Sequence, residues 1–114
     1  MTFEELTEKK PTIEWKERMN EGDDLFTSEN IDAADTVLDS YINSLKEELT
    51  ENPTEEEIVE CVKSVVIRLN ELNEKYDDFI ETMEREDLCE FITEAARISG
   101  LESDDDITEE WREW

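Results

Sequence analysis

An all-α fold, a small antiparallel bundle of three long helices with short flanking helices, is what this sequence predicts. Three observations lead there. Apolar residues recur at spacings of three and four along three long stretches, and no alternating run extends beyond a few residues. Gly and Pro number only two each, too few for a turn-rich β fold. No fixed-length repeat appears, and 114 residues suit a single domain with one modest core.

The elements follow in chain order. Residues 1–27 read as short flanking helices and a loop: Thr2 with Glu5 caps a small helix bearing Phe3 and Leu6, and Pro11 stops it. Ile13, Trp15 and Met19 suit a second short helix, while Gly22 to Ser28 reads as loop. The first long helix is expected over 29–50. Ile31, Ala34, Leu38, Tyr41, Ile42, Leu45 and Leu49 form one stripe along it, before Asn52-Pro53 breaks the chain.

A capping-box pattern, Thr54 with Glu57, opens a helix over 55–76 with the stripe Ile58, Cys61, Val62, Val65, Val66, Leu69, Leu72 and Tyr76. Ile58, Val62, Val65 and Val66 are β-branched and weaken local propensity. This helix should therefore depend on burial and be the central one. Asp78 with Glu81 signals a third helix over 78–99, with Phe79, Ile80, Met83, Leu88, Phe91, Ile92, Ala95 and Ala96 as its stripe. Gly100 reads as its stop, with Leu101 placed for the accompanying apolar contact. The acidic stretch 104–114 is expected to form one further helical turn, because Ile107, Trp111 and Trp114 recur at four and three.

Charge then narrows the function. Thirty-six acids against eleven bases, with no histidine, give a formal net charge of -25. The mean hydropathy of -0.78 would by itself allow a disordered chain; the ordered placement of apolar residues argues for folding instead. Residues 20–62 carry fourteen acids and one base, Lys46, and the last fourteen residues carry seven acids and one base, Arg112. The first eighteen residues hold four bases. The middle and the tail are thus the expected electronegative surfaces.

Such a surface repels anionic lipid heads and nucleic acid, so neither is an expected direct ligand. No stretch approaches the ~18 apolar residues of a membrane span. With no export-type start, two cysteines suggest reduced thiols and a cytoplasmic setting.

Several chemistries drop out. Without histidine there is no Ser–His or Cys–His nucleophile pair and no histidine-ligated zinc. Cys61 and Cys89 sit in or beside helical stripes and read as small hydrophobes. Asp104-Asp105-Asp106 lacks the glycine and twelfth-position glutamate of a calcium loop, and suits a helix N-terminus better.

Glu56, Glu57, Glu60, Glu74 and Asp77 match the paired-carboxylate spacing of all-α magnesium-dependent nucleotide pyrophosphohydrolases. On ~100° per residue, however, Glu60 and Glu74 project roughly 160–200° from the apolar stripe, toward solvent. No catalytic residue, metal site or cofactor is therefore assigned.

The residues expected to meet a partner are acids. Asp32, Asp35 and Asp39 repeat at three and four, a ridge beside the first apolar stripe, and Glu55, Glu56, Glu57 and Glu60 crowd the start of the second long helix. Trp111 and Trp114 are either a lid over the bundle or an exposed aromatic hook, and Trp111 is the possible anchor.

From Thr54 onward the chain resembles small acidic bacterial proteins of unknown function found among the immunity proteins of toxin–immunity systems. The resemblance rests on TEEEIVECVKSVVIRLNELNEKYDDF, EFITEAARISGL and the ending DITEEWREW. It implies a helical, non-enzymatic protein that neutralises a basic toxin by occupying its active-site cleft. The expected function is an acidic binding protein of inhibitor or immunity type, a monomer or small homo-oligomer. The alternatives are a DNA mimic that occupies a nucleic-acid-binding protein and the pyrophosphohydrolase.

Overall fold

The computed structural model describes residues 3–22, 26–47, 54–76, 78–101 and 107–114. Among these residues five helices follow in order: α1 (Phe3–Thr7), α2 (Pro11–Asn20), α3 (Ser28–Glu47), α4 (Glu55–Lys75) and α5 (Thr82–Ile98). The fold is all-α, with no strand among the described residues.

Each boundary has a local cause. Pro11 takes the first turn of α2, where its missing N–H costs no helical hydrogen bond. At the head of α3, Thr27 and Asn30 cap each other: the Thr27 N–H donates to Asn30 Oδ1 at 2.9 Å and the Asn30 N–H to Thr27 Oγ1 at 3.2 Å. Thr54 accepts the Glu57 N–H at 3.1 Å and starts α4. Of the first long stripe, Leu49 and the expected helix end at 48–50 lie outside the described residues.

The third long helix begins at Thr82 rather than at residue 78. Asp78 adopts a left-handed φ of 55°, and Asn73 holds the turn around it. The Asn73 carbonyl accepts the Asp78 N–H at 2.7 Å, and its Oδ1 accepts the Ile80 N–H at 2.8 Å. Phe79 and Ile80 consequently cross in non-helical conformation and are buried. The cap passes to Glu81, whose N–H donates to Glu84 Oε1 at 3.1 Å. At the other end α5 closes as a Schellman turn: Leu101 N–H to the Ala96 carbonyl, Gly100 N–H to that of Arg97, both 3.0 Å. Gly100 takes φ +113° and Leu101 is buried.

Packing departs from one expectation. Among the helices α4 packs chiefly against α3 and also against α5, whereas α5 touches α1, α2, α3 and α4. The central helix is therefore α5. The β-branched stripe of α4 is satisfied on one side, with Val62, Val66 and Leu69 fully buried, while Ile67, Arg68 and Glu71 face solvent. Met83, expected in the core, is 59% exposed because it falls in the first turn of the late-starting α5.

Trp15 is wholly buried, stacked on Phe26 at 5.3 Å and edge-on to Phe79 at 6.1 Å. Across the core the Tyr41 hydroxyl donates to the Ile92 carbonyl at 2.9 Å. Burial there, and secondarily the Cys61 thiol, push the phenol upward.

The terminal segment is a turn pinned in two places. Asn70 Nδ2 donates to the Trp111 carbonyl at 2.8 Å and Asn70 Oδ1 accepts the Glu113 N–H at 3.0 Å. Arg112 reaches Cys89 Sγ and Thr108 Oγ1, both at 3.1 Å.

Candidate functional site

The distribution of cations decides what the surface offers. Lys10 leaves the head of α2 and enters the α3 ridge, its Nζ lying 2.8 Å from Asp35 Oδ1 and 2.8 Å from Asp39 Oδ1. Thr12, fully buried, donates to the same Asp35 oxygen at 2.7 Å. Burial opposes both charges, yet the hydrogen bonds and mutual attraction outweigh it: Lys10 is raised above its ordinary value and Asp35 held below its own.

Arg18 reaches under α5 to Glu84, 3.0 Å away and 2% exposed, while its guanidinium sits 4.8 Å from the centre of the Phe26 ring. Lys46 meets Glu4 at 3.6 Å and lies 5.8 Å from the Phe3 ring. Arg97 pairs with Glu94 at 3.0 Å. Arg112 lies over Trp114.

The expected partner-binding residues accordingly divide. Asp35 and Asp39 are occupied by Lys10 and hold α2 on α3, so the ridge is not an open row of anions. Asp32 stands exposed and outside that clasp. Glu55, Glu56, Glu57 and Glu60 all stand exposed at the head of α4. Glu57 also accepts a hydrogen bond from the Thr54 hydroxyl at 3.2 Å. Trp111 is half-buried against the core, with its backbone held by Asn70. That is the lid arrangement, and it sets Trp111 apart from the α4 acids.

Two concavities complete the surface. Between α3 and α4 lies a cleft of about 370 Å³ walled by Ser40, Ser44, Cys61 and Ser64, with Glu57 and Glu60 at one end and Arg68 two turns along. Small side chains at the α3–α4 contact create it. A larger groove, about 600 Å³, runs between the α1–α2 segment and α5. Its floor includes Leu6, Pro11 and Phe91; Glu14 and Glu17 stand on one side, Asp87, Glu90 and Glu94 on the other.

Sequence reasoning missed this groove, because the first eighteen residues read as the basic part of the chain. Lys10 and Arg18 are drawn onto carboxylates of α3 and α5, and the α2 edge that borders the groove carries Glu14 and Glu17. The available signal was the spacing of Asp87, Glu90 and Glu94 at three and four.

Among the described residues no group of three or more Asp, Glu, Cys or His is placed to hold a metal ion. Glu56, Glu57, Glu60 and Glu74 are all exposed, Glu57 and Glu60 at the mouth of the α3–α4 cleft, and Asp77 lies outside the described residues. No described helix is long and apolar enough to cross a membrane. No family model matches this chain, and no curated protein or solved structure proved similar to it.

Proposed function

We propose that this protein is a non-enzymatic acidic binding protein of inhibitor or immunity type, which seats its anionic surface in a basic cleft of a partner protein. What supports the reading is the inward use of cations. Lys10 and Arg18 are spent on Asp35, Asp39 and Glu84, so the first part of the chain offers few cations to offset the exposed acids Glu55, Glu56, Glu57 and Glu60 on α4, Glu14 and Glu17 on α2 and Glu90 on α5. A field of one sign speeds encounter with an opposite one by 10–10³ and selects against anionic partners.

The test begins with capture of a partner from source-cell extract and its elution with graded salt. Stopped-flow association of that partner should then slow at least about tenfold between roughly 0.05 and 0.5 M salt. Reversing Glu55, Glu56 and Glu60 to Lys should slow it further while leaving the helical circular dichroism intact. An on-rate indifferent to salt refutes electrostatic seating. Displacement of the protein from that partner by duplex DNA would instead favour mimicry of nucleic acid.

A further inference from the structure

Resting on the reading just given, we infer that the groove between α2 and α5 is the seat of a cationic amphipathic helix presented by the partner. The groove is built differently from the rest of the acidic surface. Its floor is apolar: Phe91 is 3% exposed, and Ile13 stands 43% exposed at the edge, an aliphatic side chain facing water beside a cavity. Its walls are acidic on both sides, Glu14 and Glu17 on α2 and Asp87 and Glu90 on α5. Each pair is three residues apart, about one helical turn or 5 Å of rise.

Complementarity to that arrangement requires an apolar ridge with cations on both flanks. An amphipathic helix with Leu-like residues at i, i+3 or i+4 and i+7, bordered by Lys or Arg, supplies it, and a volume of about 600 Å³ accommodates one or two such anchors. Charge excludes the other occupants. A second copy also carries -25, and nucleic acid and anionic membranes have the same sign as the walls. Two lysines border the groove at its α1–α2 end: Lys10 turns its Nζ away to Asp35 and Asp39, whereas Lys9 stands exposed beside Glu8, so the anionic walls are those formed by Glu14, Glu17, Asp87 and Glu90 farther along.

The full chain is titrated, by fluorescence anisotropy, into a labelled peptide of about 15 residues with Leu at every third or fourth position and Lys on the flanks. A scrambled peptide of the same composition is the control. The amphipathic peptide should bind about tenfold tighter than the scrambled one, a difference of about 1.4 kcal/mol. Ile13→Ser and Glu90→Lys should each remove most of that advantage, with unchanged helical circular dichroism, and Glu55→Lys should not. Equal affinity for the two peptides, or a loss caused by Glu55→Lys and not by Glu90→Lys, overturns the groove. So does a captured basic partner whose salt-sensitive association ignores Ile13→Ser and Glu90→Lys, a result that leaves the proposed function standing. Salt-insensitive association with that partner sinks the proposed function instead.

Discussion

Replacing Lys10 with Met removes the cation that joins α2 to α3 while keeping its length and apolar stem. Each contact lies at 2.8 Å, which at an effective dielectric of about 20 is roughly 6 kcal/mol of gross attraction. Desolvation and solvent offset most of it. The Asp39 side chain is 49% exposed, so that pair belongs with surface ion pairs at about 0.2–1 kcal/mol. Lys10 and Asp35 are 12% and 26% exposed. Their loss leaves a partly buried carboxylate facing a second one a turn away, for about 1–2 kcal/mol.

The sum is about 2 kcal/mol, or roughly 6–10 °C in a chain of this size. Urea denaturation of wild type and Lys10→Met across pH would measure it. Asp35 is held below its ordinary 3.8 in the fold, so its contribution is full above that value and drains as pH falls through the lower folded value. Lys10 is raised above 10.5, so its contribution is full below that value and is lost as pH climbs through the raised one. The gap between the two proteins should be flat between about pH 4 and about 10.5 and close on either side. Equal stabilities at pH 7, or a gap that persists unchanged at the acid end, would refute the clasp.

Other outcomes can be stated together. Gly100→Ala should cost about 1 kcal/mol from backbone strain at φ +113° alone, since nothing lies within 4 Å of an added Cβ; a neutral result in thermal melts would deny the Schellman turn. Asn70→Ala removes both hydrogen bonds that pin Trp111 and Glu113. It should lose about 1–3 kcal/mol and shift tryptophan emission to the red; unchanged emission would mean the segment stays docked without Asn70. With a net charge of -25, the melting temperature should rise between roughly 0.02 and 0.2 M NaCl as repulsion is screened. A fall would show that specific ion pairs outweigh repulsion.

How much was legible in the chain varies by element. The stripe Ile31, Ala34, Leu38, Tyr41, Ile42 and Leu45 is buried throughout, because a period of three and four is a geometric property of one helix and needs no partner to be read. The Gly100–Leu101 stop was equally local. The start of α5 was not. Asp78 and Glu81 look like a cap, but Asn73, outside that helix, captures the Ile80 N–H and delays the helix to Thr82.

Side-chain periodicity and local hydrogen-bonding chemistry therefore determined that this chain is helical and where most of its apolar faces lie. Which helix is central, which acids remain open to a partner and where the groove runs were decided only by the fold. A carboxylate on a helix face is written in the sequence, whereas the cation that neutralises it comes from another element: Lys10 reaches Asp39 across 29 positions, and Arg18 reaches Glu84 across 66. Coulomb attraction depends on distance in space, and one-dimensional spacing holds no record of that distance between elements.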